Sequence, residues 1–276
     1  KGALNLFICY DKDMHVMRFP NGVTPLDIFI SSIQLRRRKS TIEGVDGYID
    51  FGSEYDTRQM SISLKLDAKD TQDYRLLRDE VFAFFNAHDY FYISETYQKG
   101  KRYKVKVSES FIPQRLNRRV ASIDIPLELV ELPFAESIGR TSDIDQNGIS
   151  YDDGIWGYGM GLLYDDESQK YTHNTRSFRI YNAGNVAIDP FQQDLKITIQ
   201  GANSGYELKN KTTGDVFRLT ENPNGIVVLD GPNVTDNGLQ ALRKTNRKFI
   251  TLKPGWNEFE QNQNATVSFD FRFYYM

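Results

Sequence analysis

The stretch Gln59-Met60-Ser61-Ile62-Ser63-Leu64-Lys65-Leu66 decides the fold class. Met60, Ile62, Leu64 and Leu66 fall on one side of an extended chain while Ser61, Ser63 and Lys65 fall on the other, the period-2 pattern of a half-buried strand. Upstream, residues 35–39 and 48–51 read as shorter strands, with Asp46-Gly47 supplying the left-handed backbone of a tight turn. Downstream the period changes. Asp70 or Thr71 can cap a helix in which Tyr74, Leu77, Val81 and Phe84 recur at three- and four-residue spacing, and this one amphipathic helix is expected to end near Asn86. Strand signals return over 90–94 and at Tyr103, Val105 and Val107, with Lys99-Gly100-Lys101 as the turn between them. A long strand then places Ile123, Ile125, Leu127 and Leu129 on one face, and Pro126, which has no N–H to donate, predicts a sheet edge or a bulge there.

Between Pro133 and Asn174 the composition shifts to Gly, Asp, Ser and Tyr, including Ile155-Trp156-Gly157-Tyr158-Gly159-Met160-Gly161, which reads as a connector or long loop. Short strands recur afterwards over 178–181, 195–200, 206–210, 215–220, 226–230, 249–252 and 267–275, the spacing of a β-sandwich, and residues 237–243 hint at a short helix. The expectation is a mainly β chain. Residues 1–135 form an N-terminal β domain with one α-helix, 136–174 a connector, and 175–276 a C-terminal β-sandwich.

Composition narrows the function. A length of 276 residues fits two domains, and 16 Tyr with 18 Phe suit pleated, half-buried strands. A formal net charge of −3 provides no global basic field for a phosphate backbone, so no specific nucleic acid is expected as a partner. Cys9 is the single cysteine, which excludes an intrachain disulfide and a multi-cysteine zinc site. His15, His88 and His173 lie far apart with no HxH or HxxxH pair. No apolar run approaches the roughly 18 residues of a membrane span, and Lys1 to Tyr10 lacks the apolar core of a signal peptide. A soluble chain made in the cytoplasm is therefore expected, and the start at Lys1 instead of Met is expected to leave out a few native residues.

Several candidate sites stand beside plainer readings. Asp143, Asp145, Asn147 and Gly148 match the opening of a calcium loop, but the twelfth position is Gly154 where a bidentate glutamate is needed. Asp152 and Asp153 can substitute, yet an acidic solvated turn explains the same residues. Trp156 and Trp256, with tyrosines nearby, can form a stacking platform for a saccharide, or can be core residues. His173, Asn174 and Arg176 share residue types with a galectin's sugar-contacting set without its spacing or order. The basic runs Arg36, Arg37, Arg38, Lys39 and Arg115, Arg118, Arg119 are divided between faces by strand alternation, so they read as salt-bridged or solvated edges. The pairs Asp152-Asp153 and Asp165-Asp166 carry no positional information. Without a GxSxG elbow, a P-loop, an HExxH helix or a dinucleotide fingerprint, no catalytic residue, metal site or cofactor is expected.

The order of the first-half elements resembles the siphophage tail-component family, the distal tail proteins of long non-contractile phage tails. The resemblance is carried by paired strands over 33–42, then Glu43-Gly44-Val45-Asp46-Gly47, Gly52, Tyr55 and Arg58, the strand over 59–66, the helix over 74–85, the hairpin over 90–107 and the strand ending at Leu132-Pro133-Phe134-Ala135. The second half is similar to that family's C-terminal sandwich over 178–185, 197–201, 208–214 and 252–259. The resemblance implies a β-barrel-like N-terminal domain that forms a hexameric ring, with a galectin-like or carbohydrate-module-like sandwich projecting from it. It further implies a tail-tip hub between the tail-tube protein, the tail-associated tip protein and the receptor-binding protein. Ring contacts are then expected from the hairpins over 35–66 and 90–107. The alternative is a carbohydrate-binding adhesin module contacting the host cell wall.

Overall fold

The computed structural model describes residues 6–44, 46–85, 88–152 and 154–276. The helix end expected near Asn86, Val45 of the first-half pattern and Asp153 of the calcium-like loop lie outside the described residues. The chain divides into two compact units, the first comprising Lys1–Gln98, Arg102–Ala135 and Met276, the second Lys99–Lys101 and Glu136–Tyr275.

The first unit contains, in chain order, β1 (Phe7–Tyr10), β2 (Val23–Ile30), β3 (Leu35–Ser40), β4 (Ile49–Tyr55), β5 (Gln59–Asp67), α1 (Thr71–Phe84), β6 (Phe91–Glu95), β7 (Lys101–Val107), β8 (Gln114–Arg115) and β9 (Val120–Leu129). One antiparallel sheet runs β1-β6-β7-β9-β5-β2, with β8 added against β9. Its register follows the apolar alternation: Met60, Ile62, Leu64 and Leu66 stand opposite Leu127, Ile125, Ile123 and Ala121, and all eight are buried. A one-residue slip of either strand would turn its apolar row to water, so burial itself selects this pairing. Each such aliphatic side chain contributes about 1.5–3 kcal/mol on full burial. On β1, Cys9 is 1% exposed, and burial pushes its thiol pKa far above the ordinary range.

Asp70 begins α1 as expected: its carboxylate accepts from the Gln72 and Asp73 amides at 2.8 and 2.9 Å, partnering N–H groups that have no carbonyl within the helix. Tyr74, Leu77 and Val81 form the buried stripe. Pro126 occupies neither an edge nor a bulge but the central strand β9. Its carbonyl accepts from Ser108 at 3.0 Å, so its ring nitrogen faces the β7 side just beyond Val107, where the ladder has ended and no amide donor is required.

The second unit contains β10 (Ala135–Ser137, from Glu136 onward), α2 (Thr141–Asn147), β11 (Thr172–His173), β12 (Ser177–Asn182), β13 (Leu195–Gln200), β14 (Glu207–Asn210), β15 (Val216–Arg218), β16 (Val227–Asp230), β17 (Asn233–Asp236), β18 (Leu239–Gln240), a single 3-10 turn at Leu242–Lys244, β19 (Gly255–Gln261), β20 (Thr266–Phe271) and β21 (Tyr274–Tyr275). Two antiparallel sheets, β11-β20-β13-β16-β17-β18 and β12-β19-β14-β15, make the expected sandwich. Phe178 and Phe259 of the smaller sheet stack at 5.4 Å, and Phe269 of the larger meets Phe259 at 4.9 Å, so aromatic rings join the layers.

Residues 136–174, expected as a Gly/Asp-rich connector or long loop, group with the second unit. Arg140 forks onto Asp270 at 3.0 and 2.8 Å and pairs with Asp194, while the Thr141 hydroxyl donates to the Phe269 carbonyl and accepts from the Phe271 amide, both at 3.0 Å. Farther along, Gly157 lies so close to the Lys99 carbonyl that a Cβ there would sit 2.0 Å from its oxygen. Of the residues 237–243 hinted at as a short helix, Leu242 and Arg243 do lie in the 3-10 turn, whereas Asn237 and Gly238 are the two-residue turn of the β17-β18 hairpin, with positive φ of 49° and 81°.

Candidate functional site: an exposed ribbon

The β3-β4 ribbon is the distal continuation of the β2-β5 pair. Ser31 donates to the Gln59 carbonyl at 3.0 Å and Gln34 to that of Thr57 at 2.9 Å, after which the strands leave the sheet and pair only with each other. Every residue of β3 and of β4 is exposed. Opposite Arg38 the register shifts, since Arg37 faces Ser53 whereas Lys39 faces Asp50, so two steps on β3 match three on β4. Gly52 takes φ +94° at this bulge, and its amide donates to the Asp50 carboxylate at 2.9 Å. Alternation divides the basic run as its sequence requires: Arg38 pairs with Glu54 at 2.8 Å and Arg36 approaches the same carboxylate at 3.9 Å, while Lys39 lies 5.6 Å over the Tyr48 ring. At the base Arg58 donates to the Ser31 carbonyl at 2.8 Å, and Tyr55 sets its ring edge on Phe134 at 5.6 Å.

On β4 Phe51 is 64% exposed and Ile49 46%, and Ile42 in the connection is 52% exposed, an unusual apolar load for a ribbon that pairs with no other strand among the described residues. An isolated two-stranded hairpin is marginal in water, and its outer edges present unpaired backbone groups. Chemically the ribbon can add to another β edge or lay its apolar side chains in a groove. The hairpin over 90–107, also expected as a ring contact, cannot act by its edges, because β6 is paired on both sides by β1 and β7, and β7 by β6 and β9.

The remaining predicted residues are engaged structurally. Trp156 is 4% exposed and packs 6.1 Å from Phe273, leaving no face for a saccharide. Trp256 stands opposite Tyr181 across β12-β19, with the Arg179 guanidinium 4.4 Å over its ring. Trp156 therefore offers no open face, whereas Trp256 is half-buried. Asp143 accepts from the Arg140 amide at 2.7 Å as an α2 cap, and Asp145 accepts from the Tyr171 amide and the Thr172 hydroxyl at 2.8 and 2.6 Å, so helix α2 stands where the calcium loop was considered. Asp165 caps the Ser168 amide at 2.8 Å. The carboxylates of Asp11 and Asp13 cluster with His15, a grouping no sequence motif indicated, but Asp11 is occupied by the Asp13 and His15 amides at 2.9 and 2.8 Å.

His173 is buried, stacked 4.6 Å from Phe178, with Nε2 3.1 Å from the Lys170 carbonyl. Burial lowers its pKa, outweighing the opposing pull of that carbonyl. The neutral ring is thus the folded form, so its contribution is fully present above the ordinary histidine pKa near 6.5 and is lost as pH falls from there through the lowered folded value. Thermal melts of the wild type and His173→Gln should therefore differ in slope below pH 6.5, the variant being flatter; parallel curves would remove the imidazole from the acid response.

Residues 22–129 match the family model of the phage tail protein RIFT-related domain. The whole chain is similar to the crystal structure of the Dit protein of phage SPP1, a paradigm of the hub adsorption apparatus in phages that infect Gram-positive bacteria. The TM-score is 0.68 at 13% identity, covering 98% of this chain and 100% of that one. Chains of the phage p2 baseplate in its activated conformation align with TM-scores of 0.41 with strontium and 0.43 with calcium, at 10% and 9% identity. They cover 96% and 97% of this chain and 97% of each of those. No curated protein matches the chain in sequence. Residues 22–129 accordingly match the phage tail protein RIFT-related domain, and the chain shares the fold of the SPP1 Dit protein over nearly its whole length.

Proposed function

We propose that this chain is a structural hub at the tip of a long non-contractile phage tail, six copies closing into a ring. The ring would join the tail-tube protein to the tail-associated tip protein and the receptor-binding protein, in the virion tail, after synthesis in the cytoplasm of the bacterial host. Its work is assembly, without a catalytic step of its own. The observation that carries this reading is the β3-β4 ribbon, exposed along both strands and bearing Ile49 and Phe51 with no layer of its own chain to cover them. A closed ring needs heterologous contacts, in which one patch meets a different patch on the next copy, and a projecting ribbon supplies the first of the two. The family match over residues 22–129 spans the ribbon and supports the reading.

Light scattering on the purified chain at high concentration tests it. Six times the 31.9 kDa chain mass is expected, with six-fold rings in electron micrographs. A chain that stays at 31.9 kDa at every concentration, alone and with tail-tube protein added, would overturn the ring.

A further inference from the structure

A groove in the first unit lies between α1 and residues 111–115, at the β8 margin of the sheet and apart from the ribbon. It encloses roughly 450 Å³. Apolar side chains make much of its lining: Phe82 meets Phe111 edge to face at 5.6 Å, and Ile112 beside them is 81% exposed. Three arginines complete it. Arg115 lies with its guanidinium 4.5 Å over the Tyr74 ring, and Arg78 is 5.9 Å from the Phe82 ring and hydrogen-bonded to Asp79 at 2.7 Å. Arg75 is exposed and has no hydrogen bond or ion pair among the described residues. No described carboxylate lines the groove.

We propose that this groove seats an acidic, amphipathic peptide segment of another protein, with an apolar side chain against Phe82, Phe111 and Ile112 and carboxylates on Arg75 and its two arginine neighbours. Charge complementarity is the argument. A cleft of three guanidiniums, of which Arg78 alone is paired with a carboxylate, that of Asp79, favours further carboxylates, which arginine holds through two parallel hydrogen bonds. An apolar lining stabilises a ligand only if the ligand brings an apolar group of its own, so a purely ionic partner leaves Ile112 in water. The size fits one or two side chains. A flat anionic membrane suits it less, because Asp79 and Glu80 are exposed on the same helix and repel such a surface. The groove lies within one chain's first unit, so the inference goes beyond the hub reading and stands or falls without ring closure.

The test titrates the full chain against a fluorescein-labelled peptide of sequence Asp-Glu-Leu-Phe-Asp-Glu-Leu-Glu, read by anisotropy. A peptide with lysine at each acidic position and phosphatidylserine vesicles serve as the other arms. Saturable binding of the acidic peptide is expected, weakening with added salt, and at least about tenfold weaker for Arg75→Glu and for Ile112→Asp. Both positions are exposed, so melting curves of the variants should overlay the wild type. The proposal is overturned if the acidic peptide fails to bind at about 1 mM. It is equally overturned if Arg75→Glu binds as well as the wild type, if the lysine peptide competes, or if the vesicles bind in preference to the peptide.

Discussion

If the proposed ring closes through the ribbon, replacing both Ile49 and Phe51 with aspartate is expected to leave single chains of 31.9 kDa while the melting of the chain stays nearly unchanged. Phe51 is 64% exposed and Ile49 46%, so each substitution removes little that the isolated chain buries, and surface changes of this kind usually stay within about 0.5 kcal/mol. In a ring the same side chains would be covered. Full burial is worth about 1.5–3 kcal/mol per side chain, of which about half is left to gain here, and every 1.4 kcal/mol is tenfold in affinity, so each contact should weaken by about ten- to a hundredfold. The two buried carboxylates add a desolvation cost with no partner of opposite charge. Sedimentation velocity beside calorimetry separates the two effects. A double variant that keeps the six-copy mass would remove the ribbon from the contact.

The other large effect is expected at Gly157. A Cβ at that position would lie 2.0 Å from the Lys99 carbonyl oxygen and 2.9 Å from its carbon, and backbone cannot swing aside as a flexible side chain can. Gly157→Ala should therefore cost the second unit about 3 kcal/mol or more, the upper range of overpacking. Gly159 is the matched control, since it takes φ +76° with nothing within 4 Å of an added Cβ. Gly159→Ala should cost about 1–2 kcal/mol, from left-handed backbone alone. Denaturant unfolding followed by tryptophan fluorescence reads both, with the buried Trp156 adjacent to the perturbed residue. Equal costs at the two glycines would mean that this stretch is not packed as described.

The contrast between these glycines explains what the sequence could and could not disclose. The alternation over residues 59–66 was readable because one face is buried and the other is not, and its partner Ile123, Ile125, Leu127 repeats the signal. Strand β1 has only four residues and β2 breaks its period at a bulge between Pro25 and Asp27, so neither was found from pattern. Residues 136–174 read as a loop because glycine is ambiguous. At Gly159 it satisfies a backbone angle, but at Gly157 it admits a neighbouring carbonyl, and composition does not distinguish the two. Asn237-Gly238 carried a turn signal that the apolar residues after it obscured. The ribbon's strands were anticipated, whereas its exposure was not, since Leu35, Ile49 and Phe51 look in sequence like core residues. Trp156 shows the converse: an aromatic residue marks burial as readily as binding. The arginine groove draws on α1 and the segment before β9, which meet only in three dimensions.

Cys9 has a practical use that follows from its burial in β1. A thiol 1% exposed and held protonated by its apolar surroundings is a poor nucleophile, so maleimide dyes should leave the wild-type chain unlabelled. A cysteine introduced at Tyr48, just before the start of β4, would then be the sole reactive thiol on the molecule, and paired fluorophores there would report neighbour spacing as copies gather.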